Sequence, residues 1–175
     1  NGNQRLYFAT TDSDTDANGS TGTSRVYFLD LATNEVKLFA DASSIDLATG
    51  LAVGSGLRNA DNLAIDADGN IYIIEDRNGG VDDDIWFAKD INQDGDLLDA
   101  GEGLGRWASN GTVGSENTGL YFDKFDPNKA YVNVQHPSSG VDRLVQISAV
   151  PEPGTTAMLL AGLGAVGFVA RRRKA

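Results

Sequence analysis

Glu116-Asn117-Thr118-Gly119-Leu120-Tyr121-Phe122-Asp123-Lys124-Phe125-Asp126-Pro127-Asn128-Lys129-Ala130-Tyr131-Val132-Asn133-Val134-Gln135-His136-Pro137 carries the clearest β signal in the chain. Leu120–Phe122 and Ala130–Val134 are rich in aromatic and β-branched residues, and Asp126-Pro127-Asn128 between them has turn chemistry, so the stretch reads as a hairpin. Glu116 and Asn117 enter its first strand, while Gln135 and His136 leave its second. A hairpin brings those two ends together, placing a carboxylate, two amides and an imidazole on one rim. Such a set suits a hard or borderline metal ion. The same spacing also describes an ordinary hairpin whose polar ends face water, and spacing alone favours that simpler reading.

A second stretch upstream has the same plan. Asp61 to Asp76 gives an apolar strand, the turn Asp66-Ala67-Asp68-Gly69-Asn70, an apolar strand containing Tyr72, and the polar exit Glu75-Asp76. The two hairpins lie roughly 57 residues apart, somewhat beyond the about 40–50 of a usual propeller repeat, and an insert between them accounts for the excess. Short strands and turns throughout, with no convincing helix before the C-terminal tail, argue for blades of a β-propeller. The expectation is therefore an all-β fold. It comprises a partial β-propeller over residues 1–149, about three blades of a larger propeller, and a C-terminal transmembrane helix within residues 150–175. Missing blades would leave exposed edges. With no initiating methionine and an export-type tail, the sequence reads as a fragment of a longer precursor.

The insert is the most specific chemical pattern that spacing alone provides. Asp90, Asn92, Asp94 and Asp96 put oxygens at loop positions one, three, five and seven, with Gly95 at six for the sharp turn. Gly101 stands where an EF-hand has its glutamate, so Asp99 or Glu102 would close the shell instead. The preceding Ile85–Ala88 reads as a strand, which makes this a free-standing calcium loop; the alternative is an acidic surface insert holding no ion. Ahead of it, Asp82-Asp83-Asp84 reads as an acidic turn.

Nearer the N-terminus, Arg5–Thr10 reads as a strand opening into Asp12, Asp14, Asp16 and Asn18-Gly19. That run is another possible cation loop, although a polar connection between strands is the commoner outcome. Ser24–Asp30 and Glu35–Ala40 form a hairpin across Ala32-Thr33-Asn34, and the small, Gly-rich residues 41–60 read as a long connection. Trp107 reads as a packing residue, and a last strand begins at Arg143.

Composition bounds the function. The chain has 175 residues, 41% of them hydrophobic, with 21 glycines and a net charge of −11, which fits one turn-rich globular domain rather than disorder. Three Arg and one Lys against Glu152 give the last 26 residues +3, leaving −14 on the body, a charge that argues against a nucleic-acid partner. Cysteine is absent, so disulfides and thiolate metal sites are excluded. His136 is the only histidine, so no multi-histidine centre can form within the chain, and no nucleophilic serine is spaced to pair with it.

Glu116-Asn117-Thr118-Gly119, the aromatic strand after it, the Asp126-Pro127-Asn128 turn and Val132-Asn133-Val134-Gln135-His136-Pro137 together resemble the late part of the PhoX-type alkaline phosphatase family. Asp61-Asn62-Leu63-Ala64-Ile65-Asp66-Ala67-Asp68-Gly69-Asn70-Ile71-Tyr72 resembles the preceding blade of that family, and also blades of calcium-dependent lactonase propellers. The resemblance implies hydrolysis of a phosphomonoester substrate assisted by iron and calcium. It also implies Glu116 as a metal ligand of the active centre, with Asn62, Gln135 and His136 around it. The family's cysteine ligand is absent from this chain, and no arginine adjoins Glu116 to clamp phosphate. Besides a phosphatase, the same features admit a non-catalytic, calcium-held matrix protein, or a lactonase-like calcium propeller.

The C-terminus carries the plainest signal of location. Val150-Pro151-Glu152-Pro153-Gly154 precedes an apolar run from Thr155 to Ala170, which is followed by Arg171, Arg172, Arg173 and Lys174. The run is slightly shorter than the roughly 20 residues that span a bilayer comfortably, and its basic flank keeps the C-terminus cytoplasmic. Pro151, Glu152 and Pro153, the apolar span and the arginine cluster resemble the PEP-CTERM sorting signal. That likeness implies recognition by an exosortase-type membrane transpeptidase in a Gram-negative bacterium. The protein would be membrane-tethered before processing, then released to the envelope or extracellular matrix.

Overall fold

The computed structural model describes residues 4–10, 24–76, 83–112 and 114–149. They form ten strands in three antiparallel sheets, and the all-β expectation holds. The first sheet is β1 (Arg5–Thr10), β2 (Arg25–Asp30) and β3 (Glu35–Ala40), in that order. The second is β4 (Ala60–Ile65), β5 (Ile71–Glu75), β6 (Asp83–Lys89) and β7 (Gly103–Asn110), again in chain order. The third is β8 (Glu116–Phe122), β9 (Lys129–Gln135) and β10 (Arg143–Ser148), with β9 central.

The alternation of side chains along β5 and β6 explains how the sheets stack. Successive Cβ atoms of a strand point to opposite faces. Ile71 and Ile73 of β5, with Trp86 and Ala88 of β6, join Val26, Phe28 and Phe39 of the first sheet in one core. Tyr72 and Ile74 of β5, with Ile85 of β6, join Leu120, Ala130 and Val132 of the third sheet in another. Every residue of β5 is therefore buried, and the second sheet is the middle layer. Trp107 packs in the second core, in ring contact with Tyr72 and Phe122 at centroid distances of 5.4 and 5.9 Å, as its reading as a packing residue requires.

One local reading is corrected. Asp83 and Asp84 are not in a turn: both lie in β6, buried, because β6 pairs with β7 from its first residue. Between β3 and β4 runs the long connection expected there. It holds a 3-10 turn at Gly54–Gly56 and an internal bridge from Ile45 to Ala52, and a bridge from Asp46 to Leu104 fastens it to the edge of β7.

The strand ends sort into two groups. At one end lie the starts of β4, β6 and β8 and the ends of β5 and β9, and Ser24 Oγ accepts from Ala60 N (3.0 Å) to bring the start of β2 there as well. We call this end the mouth. The turns 31–34, 66–70 and 123–128 and the 90–102 connection lie at the other. There Arg5 Nη1 donates to Gln93 O (2.9 Å), and Nη2 donates to Asp94 O. No helix among the described residues is long and apolar enough to cross a membrane. The apolar span 155–170, the sorting residues Pro151, Glu152, Pro153, Arg171, Arg172 and Arg173, and the Asp12–Gly19 run all lie outside the described residues.

Candidate functional site

The mouth gathers acidic side chains from both hairpins. Glu116 is the first residue of β8, opposite Gln135 in register, and Gln135 Nε2 donates to Glu116 Oε2 at 3.3 Å. Asp76 follows β5, its backbone N donating to Asn59 O at 2.9 Å, so the polypeptide turns with the carboxyl facing β8. Its side chain hydrogen-bonds Glu116. Asp61 and Asn62 come from the start of β4, where a bulge between Ala60 and Asn62 breaks the register; Asn62 Nδ2 donates to Asp61 Oδ2. His136 follows β9 with φ +55°, its N donating to Asp142 Oδ1 at 3.0 Å.

These placements bring together the polar exits of the two hairpins that the sequence marked as alike. Glu116 does not point alone into solvent: it is half-buried against Asp76. Gln135 and His136 stand beside the pair, one bonded to Glu116 and the other close enough to act electrostatically on Asp76. Asn62 engages Asp61. Sequence reasoning missed Asp76 as a partner, although its position matching Gln135 and His136 in the second hairpin was the signal that could have found it.

The electrostatics are those of a site short of positive charge. Burial pushes the Asp76 carboxyl up to about 6, and the charges of Glu116 and Asp61 and the bond to Glu116 push the same way against His136. Two carboxyls this close make it costly for both to carry charge, and a cation between them lowers that cost. Asp76 Oδ1 is also buried without a hydrogen-bond partner. A cation would give that orphaned acceptor a partner as well. Calcium accepts carboxylates and amide oxygens alike, so Asp76, Glu116 and the amide oxygens of Gln135 and Asn62 are the groups that could contribute to holding one.

Beneath this rim lie three further carboxylates, of which Glu75 and Asp83 are fully buried and Asp84 is 4% exposed. Glu75 accepts from Arg58 N (2.8 Å), Asp84 N (3.0 Å) and Trp86 Nε1 (3.0 Å). Asp83 Oδ2 accepts from Asn117 N at 3.2 Å, and Asp84 Oδ2 pairs with Arg106 Nε at 2.8 Å.

The 90–102 loop sits at the opposite end. Each of its alternate side chains accepts a backbone N–H two to five residues on: Asp90 Oδ2 from Gly95, Asn92 Oδ1 from Asp94, Asp94 Oδ1 from Asp96, and Asp96 Oδ1 from Leu98. Asn92 Nδ2 donates to Asp99 Oδ2 at 2.7 Å. Glu102 is 2% exposed and its carboxylate closes the loop, accepting from Ile91 N (2.8 Å) and Asp99 N (3.2 Å). Gly95 has φ +97°, and a Cβ there would come within 2.9 Å of Phe28 and 2.8 Å of Arg5. Asp90 Oδ1 is buried without a partner, and burial pushes this carboxyl up. Among the described residues, no three His, Cys, Asp or Glu side chains gather into a metal centre by themselves, here or at the mouth.

Residues 1–138 match the family Alkaline phosphatase PhoX, a span that runs from the start of the chain through β9 and includes both carboxylates of the mouth pair. The chain belongs to the PhoX alkaline phosphatase family. Residues 149–174 match the PEP-CTERM protein-sorting motif, which implies sorting by an exosortase, a membrane-associated processing enzyme, and export to the cell envelope or beyond. No curated protein and no solved structure matches the chain. PhoX proteins are metal-dependent in general, and the orphaned Asp76 Oδ1 beside Glu116 fits that chemistry.

Proposed function

We propose that this chain is an exported PhoX-family protein that serves metal-dependent hydrolysis of phosphomonoesters, with the Asp76–Glu116 pair as the cation-holding part of its centre. The observation that carries the reading is this pair: two carboxyls from different sheets, pressed together with one oxygen unpartnered. A bound cation in such a centre polarises the phosphoryl group and activates an oxygen nucleophile. Within this chain, Glu116 and Asp76 would supply charge. Gln135 fixes the Glu116 carboxylate, and His136 stands at the rim beside Asp76. Calcium suits these oxygen donors; iron rests on family likeness. The three antiparallel sheets in chain order support a reading as successive propeller blades.

Metal content by elemental analysis together with phosphomonoesterase turnover of the exported protein tests the proposal. Glu116→Gln and Asp76→Asn should each lower turnover by two orders of magnitude or more while the circular dichroism stays that of wild type. Wild-type turnover in both variants would remove the pair from the active centre.

A second reading, a calcium-held surface or matrix protein without catalysis, is favoured by the 90–102 loop. Asp90, Asn92, Asp94, Asp96, Asp99 and Glu102 are its candidate ligand set, and the unpartnered Asp90 Oδ1 is the observation that supports it. Calcium alone in the purified protein, with no turnover, would select this reading. In either case the PEP-CTERM tail hands the protein to an exosortase through a transient membrane span.

A further inference from the structure

We infer that Glu75 and Asp83 are positioning residues that set the separation of Asp76 and Glu116; the inference rests on reading that pair as a cation site. Each buried carboxylate sits one step from the pair. Glu75 immediately precedes Asp76, and Asp83 holds Asn117, which immediately follows Glu116. The two are linked to each other, because Asp84 N donates to Glu75 Oε2 at 3.0 Å.

A closed circuit results. It runs from Asp76 along the chain to Glu75, across to Asp84 and along to Asp83. From there it crosses to Asn117, follows the chain to Glu116, and returns through the carboxyl–carboxyl hydrogen bond to Asp76. Asn117 is held twice, its N on Asp83 Oδ2 and its Nδ2 on Asp83 O, both at 3.2 Å. Glu75 is held against the chain before β4 by Arg58 N and against β6 by Trp86 Nε1.

Alternation along β5 makes the arrangement directional. With Glu75 turned to Trp86, in the core shared with the first sheet, the next residue is turned the other way, toward β8. An ionised carboxylate is a costly way to fill a buried position, and well-packed apolar residues often serve stability better. What a carboxylate does that an apolar residue cannot is fix several backbone donors at set distances. Cation affinity depends on donor spacing, so a ligand pair clamped from behind by two such residues is held to one separation.

The test is terbium luminescence titration of the full chain, sensitised by its tryptophans, with calcium as competitor. It is run in an Asp90→Asn, Asp94→Asn background to silence the 90–102 loop. Glu75→Gln keeps the shape but leaves one acceptor oxygen for three donors, and Asp83→Ala removes the acceptor of Asn117 N. Each should weaken terbium binding tenfold or more. Ile73→Val, a change in the same strand that removes no hydrogen bond of the circuit, should leave it within twofold.

Weakening that merely tracks lost stability, equal in Glu75→Gln and in Ile73→Val variants of matched melting temperature, overturns the inference. So does wild-type affinity in both carboxylate variants when Asp76→Asn with Glu116→Gln abolishes binding. If that last double variant binds terbium like wild type, the cation reading of the mouth fails first, and the inference with it. Should Glu75→Gln not fold, Asn117→Ala carries the test, since it removes one bond of the circuit and no buried charge: threefold weakening supports the inference, and unchanged affinity refutes it.

Discussion

Asp66 shows how a single carboxylate can be tied to pH in this protein without any part in its chemistry. Burial disfavours its charge, but hydrogen bonds from Asn70 Nδ2, from the N–H groups of Asn70 and Asp68 and from the Tyr72 hydroxyl outweigh that and hold its carboxyl below the ordinary range. A carboxyl depressed on folding stabilises above its unfolded value and loses that contribution as pH falls through its folded value. Asp66→Asn should therefore melt below wild type at pH 7, and the gap should close as pH is lowered below about 4. Thermal melts across that range check it; a gap independent of pH would mean the side-chain shape, not the charge, matters. Tyr72, pushed up to about 12 by burial and by Asp66, stays protonated throughout and keeps donating. At this scale the mouth was only half legible. Glu116 stood out because its neighbours in sequence resemble a family motif. Asp76 did not, because what makes it matter is a residue forty positions away.

At the scale of elements, the 90–102 connection couples the middle sheet to the first. Arg5 lies over Phe28 at 4.9 Å and reaches two carbonyls of the loop, while Gly95 comes too close to both for any side chain. Gly95→Ala combines a positive φ with a backbone-to-ring clash, and should cost about 1–3 kcal/mol in denaturant unfolding at a strained position of this kind. A loss of a few tenths would show that the loop moves aside freely. Strands with aromatic or β-branched residues, such as β2, β5 and β9, were plain from composition. β7 was not: Gly-Leu-Gly-Arg-Trp-Ala-Ser-Asn has weak alternation, and it is a strand because β6 pairs with it along its whole length. Asp83 and Asp84 looked like a turn for the same reason, since three consecutive aspartates suggest solvent until Asn117 and Arg106 are known to meet them.

For the whole molecule, the acidic body and the basic terminus of the chain have separate tasks. Replacing Pro151, Glu152 and Pro153 with alanine should leave the protein in the membrane fraction at its unprocessed mass, with no change in the fold of the body. Cell fractionation with mass determination checks this, and normal release of such a variant would detach sorting from the motif. The body itself depends on its middle layer. Ile74, fully buried between the second and third sheets, should cost about 2–5 kcal/mol on truncation to alanine, and the loss should appear in one transition, not two.

That last expectation follows from β5 serving two cores at once. Hydrogen exchange would find the amides of Ile73 and Ile74 opening at the same rate, although they face opposite sides of the molecule. For the same reason, a duplication or deletion breakpoint falling within this strand would strand an oily face on each fragment. Recombination that reshuffles such proteins is therefore expected to spare the interval from Ile71 to Glu75 and to join pieces in the stretches that connect one sheet to the next.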